Sequence, residues 1–342
     1  MRATIKDVAR EAGVSVSTVS YALSRKGKVT KESHRRVLAA AEKLGYVPDA
    51  AARSLVNSRM DAIGVIIPNT IGQGMQNPYY VEILSIFSEE LAQRDSWMSL
   101  YMASEKNRDN LADLLIDAKV DGIIWANVRP NEQEAAILER RNLPTLLINS
   151  FDRELSFAIP KIIVDSAAGM HQAVKHLCDM GHEKIMLVSG TRMGDTSVHD
   201  HRADYYFTAM DAAGLNYRKS IFGDFDENTA YEKMKEFMES GEEMPTAIIA
   251  SSDAMAMGVI HALEESGLSV PDDISIIGYD DIYAGRHMQP ALSTIKQQVS
   301  EAVTAAIDFI FECRDNKEID REYVRRIDTE LIIRESSGAV KK

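Results

Sequence analysis

The chain has 342 residues, of which 45% are hydrophobic and 27% charged, and its formal net charge is -13. The length predicts two or three domains, and the composition excludes a disordered or fibrous chain. No apolar run reaches the ~18 residues of a membrane span and no signal-peptide core is present, so we expect a cytoplasmic protein. The two cysteines, Cys178 and Cys313, are far apart and are predicted to be buried thiols.

The charge is distributed unevenly along the chain. Residues 1–60 carry 12 Lys and Arg against 5 Asp and Glu, a net charge of +7, whereas the remaining residues carry -20. A basic segment on an acidic chain is typical of a separate module that binds a polyanion. On charge alone, an ordinary solvated basic end remains the alternative.

Three short helices are predicted within the basic segment. Thr4 caps the first helix, which ends at Gly13, and Ser15 begins the second. Thr30 caps a third helix over residues 31–44. Two short helices joined by a glycine turn form a helix-turn-helix, whose second helix enters the major groove of DNA.

Short hydrogen-bonding side chains occupy the start of the second helix, where a major groove limits bulk. Basic side chains nearby are expected to contact phosphates, and Arg36 is one further candidate for that role. The candidate DNA-binding residues of the head are Thr4, Lys6, Ser15, Val16, Ser17, Thr18, Ser20, Tyr21, Arg25 and Lys28. The alternative is that the Ser and Thr residues only cap a short helix.

Motifs along most of the chain resemble those of the lactose-repressor family of bacterial regulators. The segment "TIKDVAREAGVSVSTVSYAL", followed by "LGYVPDAAARSL", resembles the DNA-binding head and hinge of that family. The motifs "IGVIIPN", "NPYY", "VDGII", "MGHEKI", "SDAMAMG" and "IIGYDDI" continue the resemblance. It implies a homodimeric, effector-controlled repressor that binds a near-palindromic operator in double-stranded DNA and requires no cofactor.

A hinge helix is predicted over residues 48–60. Pro48 ends the head, and Asp49 caps an alanine-rich helix that is too short to be stable alone. The resemblance implies that Ala52 and Leu55 contact DNA, with Leu55 as an apolar wedge in the minor groove. A flexible linker is the alternative.

After residue 61, short β-branched runs alternate with amphipathic helical patterns, which predicts an α/β fold with doubly wound parallel sheets. Strands are predicted at 62–67, 97–101, 122–125, 145–149, 161–164, 184–189, 246–251, 274–279 and 330–333. Helical patterns cover 80–94, 107–119, 166–180, 229–239, 253–266 and 298–312. A single sheet would need about eleven strands, which favours two halves.

The expected domains follow from these patterns. They are a helix-turn-helix domain over 1–47, the hinge helix over 48–60, an N-terminal effector subdomain over 61–160 and a C-terminal effector subdomain over 161–292. By resemblance to periplasmic-binding-protein-like cores, about 293–325 returns to the first subdomain and about 326–336 to the second.

Ligands of open parallel sheets bind beyond the carboxyl ends of the strands. Charged groups and aromatic rings at those positions suit a polyhydroxylated ring. The candidate effector-binding residues are Tyr79, Tyr80, Trp125, Arg202, Asp253 and Asp280, to which the resemblance adds Asn149 and Phe225. Core packing is the alternative for the two tyrosines and Trp125, and helix capping is the alternative for Asp253.

The loop "NTIGQGMQNPYY" is longer than is usual in the family and resembles that of maltose-type regulators. This resemblance implies a sugar or oligosaccharide effector, such as an α-glucoside. Asn149 and Ser150 stand where the family often has Asp and Arg, and Ser252 stands where it often has Asn. These departures leave the identity of the effector open.

Two other classes of protein share parts of this pattern, an α/β enzyme and a cytoplasmic solute-binding protein. The sequence contains no dinucleotide fingerprint, no phosphate-binding P-loop, no nucleophile elbow and no histidine pair at metal-ligand spacing. We therefore predict that the chain is not an enzyme and binds no metal. The basic helical head argues against a protein that only binds solute.

Overall fold

The computed structural model describes residues 3–23, 29–46, 60–69, 74–148, 158–190 and 201–341. The chain divides into two compact units, Met1–Met60 and Asp61–Lys342, which we call the head and the core. Five predicted site residues lie outside the described residues: Arg25, Lys28, Ala52, Leu55 and Asn149. The predictions for these five residues and for the hinge helix stay predictions.

The head contains three helices, α1 (Ile5–Ala12), α2 (Val16–Leu23) and α3 (Lys31–Lys43). The Asp7 carboxylate accepts hydrogen bonds from Thr4 N at 3.0 Å and Thr4 Oγ1 at 2.7 Å, which fixes the start of α1. Gly13 ends α1 with a φ of 61°. Thr30 Oγ1 accepts from Ser33 N at 3.2 Å and caps α3. Local caps therefore set these helices where the sequence predicts them.

Eight buried apolar side chains form the centre of the head: Val8, Ala9, Ala12, Val19, Ala22, Val37, Ala40 and Ala41. All are valine or alanine, so the three helices approach closely but enclose little apolar volume. Because hydrophobic stabilisation grows with buried apolar area, the head is expected to be only marginally stable.

The core contains two six-stranded sheets among the described residues. Its strands are β1 (Ala62–Pro68), β2 (Trp97–Ala103), β3 (Gly122–Ala126), β4 (Thr145–Ile148), β5 (Lys161–Asp165), β6 (Ile185–Ser189), β7 (Ser220–Phe222), β8 (Ala247–Ala250), β9 (Ser275–Asp280), β10 (Ser293–Lys296), β11 (Val324–Asp328) and β12 (Glu330–Ile332). The sheet orders are β11-β5-β4-β3-β1-β2 and β12-β10-β9-β8-β6-β7. Every pair is parallel except the antiparallel pair of β10 and β12. The predicted fold class is confirmed.

Nine helices of the core surround these sheets in the described part of the chain. They are α4 (Pro78–Gln93), α5 (Arg108–Asp117), α6 (Glu132–Arg141), α7 (Ser166–Asp179), α8 (Arg202–Ala212), α9 (Glu227–Glu239), α10 (Asp253–Glu265), α11 (Tyr283–His287) and α12 (Val299–Asn316). The first sheet with α4, α5, α6 and α12 forms the first lobe, and the second sheet with α7 to α11 forms the second lobe. Within the described ranges, no helix is long and apolar enough to cross a membrane.

The chain passes between the lobes after β5, after β10 and between β11 and β12. The expected boundaries after 160, 292 and about 325 therefore fall a few residues too early. They assign β5 and part of β11 to the second lobe and β10 to the first, whereas β5 pairs with β4, β11 pairs with β5, and β10 pairs with β9. The hydrophobicity of a strand does not reveal which distant strand its backbone pairs with.

Three strands, β7, β10 and β11, are not among the strands predicted from the sequence. Four of the five residues of β11 are exposed, because it lies at the edge of the first sheet. β7 has only three residues, all half-buried. Neither β7 nor β11 carries the apolar run or alternation on which a prediction depends.

Candidate functional site

One face of α2 is exposed and carries the predicted base-reading side chains. Val16, Ser17 and Tyr21 are exposed and Ser20 is half-buried, whereas Val19 is buried against the other helices. The diameter of an α-helix with its side chains, about 10–12 Å, matches the width of a major groove, about 12 Å. The face is therefore of a size and polarity that fits a groove.

Ser15 and Thr4 act as helix caps in the structure. Ser15 Oγ accepts from Thr18 N at 3.1 Å and lies 2.8 Å from the hydroxyls of both Ser17 and Thr18. Thr4 and Asp7 form the capping box of α1. Capping, the alternative that the sequence left open, describes the present contacts of Ser15, Thr18 and Thr4.

Arg36 is used inside the head. Its guanidinium donates to the carbonyl oxygens of Ala12 and, at 3.3 Å, Gly13. The positive φ of residue 13 favours glycine there, and a Cβ would displace the Arg36 guanidinium, whose Nη2 would lie 2.6 Å away. Arg36 therefore joins α3 to the carboxyl end of α1, which sequence reasoning did not anticipate.

In the core, Arg202 lies between two aromatic rings at the start of α8. Its Cζ is 4.0 Å from the centroid of the Tyr279 ring and 5.5 Å from that of Phe225. Its Nη1 donates to the carbonyl oxygen of Ser251 at 2.5 Å. The Tyr279 hydroxyl is in turn 2.6 Å from Ser166 Oγ. These contacts fix the orientation of the guanidinium plane.

Phe225 has an unusual backbone conformation, with a φ of 55°. Its ring lies against Gly190, where a Cβ would be 2.2 Å from Phe225 Cζ, so only glycine fits at that position. Its carbonyl oxygen accepts a long hydrogen bond from Asn77 Nδ2 at 3.4 Å. An aromatic residue in the left-handed region is rare, and such strain is found most often at functional sites.

Tyr79 and Tyr80 are buried in the first turn of α4, where Asn77 Oδ1 caps the helix by accepting from Tyr79 N at 3.0 Å. The rings meet edge to face, with centroids 5.2 Å apart. Burial raises the pKa of both hydroxyls, and Asp280 raises that of Tyr79 further. Both hydroxyls are hydrogen-bonded to Asn127. They therefore stay neutral hydrogen-bonding groups at any physiological pH.

Asp280 ends β9 and lies close to the tyrosines. Its Oδ1 accepts from Gln297 Nε2 at 2.6 Å, and its φ is 117°. Its charge and that of Arg202 both act on the Tyr79 hydroxyl. The structure thus brings together five predicted residues at the carboxyl ends of both sheets: Tyr79, Tyr80, Arg202, Phe225 and Asp280.

The structure places Asp253 inside the second lobe, and its contact with the effector stays a prediction. Its carboxylate is fully buried, and it accepts from Thr294 Oγ1 at 2.6 Å and from Ile282 N at 2.9 Å. Burial, together with the charge of Asp280, raises its pKa well above the ordinary value. The helix cap is its neighbour Ser252, which accepts from Met255 N at 3.2 Å. Asp253 therefore braces the turn that follows β9.

The structure places Trp125 in the interior of the first lobe, and its contact with the effector stays a prediction. Its ring is fully buried in the cluster between the first sheet and helices α5 and α6, beside Leu111, Leu115 and Leu138. Its Nε1 has no hydrogen-bond partner in the part of the chain that the structure describes. The side chain of a strand residue points to one face of its sheet, and here that face is covered by helices.

Sequence reasoning missed three polar residues of this cleft: Asn127, Tyr279 and Gln297. Asn127 directly follows β3 with a φ of 56°, and Tyr279 is the penultimate residue of β9. Their positions at strand carboxyl ends were the signal that could have identified them. Across the described residues, no group of three or more His, Cys, Asp and Glu side chains could hold a metal ion.

Two family models match the chain. The model of "Bacterial regulatory proteins, lacI family" matches residues 4–49, and that of the "Periplasmic binding protein-like domain" matches residues 174–337. Among solved structures, the Lac repressor dimer bound to operator and an anti-inducer superimposes with a TM-score of 0.82 at 24% identity, covering 99% of this chain and 100% of that one. At this identity the likeness supports the fold.

Two relatives match nearly the whole chain. The HTH-type transcriptional repressor PurR of Glaesserella parasuis serovar 5 is 36% identical over 316 residues, 91% of this chain and 89% of the relative. Catabolite control protein A of Priestia megaterium is 32% identical over 330 residues, 95% of this chain and 96% of the relative. These relatives confirm a regulator rather than an enzyme. Together with the helix-turn-helix head, these matches show that the chain belongs to the lacI family of bacterial regulatory proteins.

Proposed function

We propose that this chain is a cytoplasmic transcriptional repressor that binds a near-palindromic operator as a homodimer, under the control of a small effector. The exposed face of α2 supports groove recognition, and a two-fold dimer matches a two-fold operator. The names of the two relatives, a transcriptional repressor and a control protein, support repression. The hinge with Ala52 and Leu55 belongs to this proposal on the strength of the sequence.

The effector is a neutral polyhydroxylated sugar held between the two lobes. The observation that carries this proposal is the cluster of Tyr79, Tyr80, Arg202, Phe225 and Asp280. A guanidinium and a carboxylate in one cleft leave little net charge for an ionic ligand, but they supply donors and acceptors for hydroxyl groups. The aromatic rings offer faces for the apolar side of a sugar ring.

A thermal-shift screen of the full-length protein with mono- and oligosaccharides, α-glucosides included, tests the ligand class. We expect at least one sugar to raise the melting temperature, because a ligand that binds only the folded state stabilises it. Calorimetry of that sugar with Arg202→Ala should show at least a tenfold loss of affinity, since a charged hydrogen bond is worth about 1.5–3 kcal/mol.

Arg218→Ala is the matched control. Arg218 pairs with Asp211 on the surface of the second lobe, away from the cleft residues, and its removal should leave the affinity unchanged. Arg202→Lys, which keeps the charge but not the planar stacking, should give an intermediate loss. Full affinity in Arg202→Ala would make Arg202 a structural residue, and no stabilisation by any sugar would contradict the ligand class.

A further inference from the structure

The turn after β9, residues 280–283, is the place where the second lobe bears on α4 of the first. Ile282 is buried within the apolar cluster of the first lobe, and Met257 and Ala284 pack against the same cluster. The backbone N–H of the next residue, Tyr283, donates to Glu82 Oε1 on α4 at 2.5 Å. One short turn therefore carries Asp280 of the cleft and, three residues later, a contact across the lobes.

This turn is braced from its own lobe. Asp253 Oδ2 accepts from the N–H of Ile282 at 2.9 Å. The Asp281 carboxylate pairs with Arg334 at 2.5 Å and with Arg286 at 3.2 Å. With these bonds in place the turn has little freedom to deform. A displacement at the Tyr283 end is therefore transmitted to Asp280.

The amino-terminal end of α4, from its N-cap Asn77 to Glu82, meets the second lobe at two points. At one point Asn77 donates to the Phe225 carbonyl and Tyr79 lies close to Asp280. At the other, Glu82 accepts from Tyr283. Ile282, the N-cap residue of α11, provides no side-chain acceptor. The N–H of Tyr283 instead donates to a charged acceptor from the other lobe.

We propose that Glu82 is a cross-lobe positioning residue, whose carboxylate holds the turn 280–283 against α4 and so sets the lobe arrangement and the position of Asp280 together. Its consequence for the effector site rests on the proposed function. The contact itself is a property of the free protein. Substitutions of Glu82 should therefore change the affinity for operator DNA although they replace no residue that faces the cleft.

Hydrogen exchange of the full-length protein measures the contact directly. In Glu82→Ala, amides 283–287 should exchange about tenfold faster, because the loss of a charged acceptor removes their protection. Glu82→Gln keeps an acceptor oxygen and should restore part of that protection. Glu89→Ala is the matched control, since Glu89 lies on the same helix and is exposed, and exchange there should stay as in the wild type.

A double-mutant cycle separates the contribution of this hydrogen bond to stability from the other contributions of the two side chains. Tyr283→Pro removes the N–H at the first position of α11, where proline is favoured. The preceding residue, Ile282, already has the φ of -69° and ψ of 155° that suit a residue before proline. Tyr283→Ala keeps the N–H and controls for loss of the exposed ring. Glu82→Ala should lower the melting temperature in the wild type and in Tyr283→Ala, and have no further effect in Tyr283→Pro.

Affinity for operator DNA recovered by selection from a random library provides the functional readout. Glu82→Ala and Tyr283→Pro should change it in the same direction, and Glu89→Ala should not. The proposal would be overturned if amides 283–287 of Glu82→Ala exchanged at the wild-type rate, or if Glu89→Ala had an equal effect. It would also be overturned if the losses of melting temperature in the double-mutant cycle were additive, or if operator affinity were unchanged in Glu82→Ala and Tyr283→Pro. None of these measurements uses a sugar, so failure of the ligand screen and failure of the proposal for Glu82 are separate results.

Discussion

In the head, Val16 and Tyr21 expose 41% and 58% of their surface, whereas in the core Tyr79 and Tyr80 expose 7% and 4%. The two candidate binding regions thus place their side chains in opposite environments. A DNA groove is a large preformed surface that a projecting helix can enter. A small ligand offers little area, so its site must enclose it.

The two units also differ in what stabilises them. The fully buried side chains of the head are all valine or alanine, whereas the core buries large side chains such as Phe87, Trp125 and Tyr206. Binding residues on a small, exposed unit are therefore separable from those in a large, buried one. A substitution that destabilises one unit should therefore leave the other unit folded.

Phe87→Ala should give the largest effect of these substitutions, a decrease in the free energy of unfolding of the core. The ring is fully buried in the first lobe, and truncation of a buried phenylalanine costs about 3–5 kcal/mol. Both tryptophans, Trp97 and Trp125, lie in the core, so urea unfolding followed by their fluorescence reports that unit. Phe311 is half-buried, so Phe311→Ala should lower the free energy of unfolding by a smaller amount. An equal cost for the two variants would mean that burial does not decide the stability of this lobe.

Val19→Ala is the corresponding test of the head. Removing two buried methyl groups costs on the order of 2 kcal/mol, which is a large fraction of the stability of a unit with so small a core. Operator binding should fall strongly while the tryptophan transition stays unchanged. Val16→Ala, on the exposed side of the same helix, should leave the head folded. A shifted tryptophan transition in Val19→Ala would show that the two units do not unfold separately.

Ser17→Ala and Lys6→Ala should separate recognition from general affinity in the head. Loss of one neutral hydrogen bond to a base edge costs about 1 kcal/mol, and only for the preferred sequence. Loss of a phosphate contact at Lys6 should weaken binding to every sequence and reduce the salt dependence. Selection from a random DNA library and titrations at several salt concentrations measure the two effects. Identical selected sites for wild type and Ser17→Ala would contradict the assignment of Ser17.

The smallest effect is expected from protonation of the two histidines that contact residues 337 and 338, and it concerns the stability of the core. His182 Nε2 donates to the Gly338 carbonyl at 2.9 Å, and His176 Nε2 lies 3.1 Å from Ser337 Oγ. Burial lowers the pKa of both below 6.5. The unfolded chain therefore takes up these protons first, and core stability should be complete above pH 6.5 and decrease below it.

Urea unfolding between pH 5 and pH 8, followed by tryptophan fluorescence, checks this sign. His182→Gln should flatten the dependence in the acidic range, whereas a substitution of the exposed His261 should not. A stability of the core that rises as the pH falls below 6.5 would contradict the prediction.

Much of the head could be predicted from the sequence because its helices are set by neighbours. Thr4 with Asp7, Gly13 and Thr30 act within three or four residues along the chain, and the predicted helix ends agree with the structure. The alternation of apolar strands and helices likewise predicts parallel sheets, because burial on both faces requires continuous apolar runs. Several cleft residues were predictable because parallel sheets bind ligands at strand carboxyl ends.

Contacts between distant residues could not be predicted in this way. Arg36 reaches the end of α1, Asp253 braces a turn nearly thirty residues further on, and Glu82 meets the N–H of Tyr283 in the other lobe. Trp125 became a core residue because helices α5 and α6 cover its face of the sheet. The sequence alone determined local caps, periodicity and the family to which the chain belongs. Only the tertiary structure decided which buried polar group meets which partner, because that choice depends on backbone pairings between segments far apart in the chain.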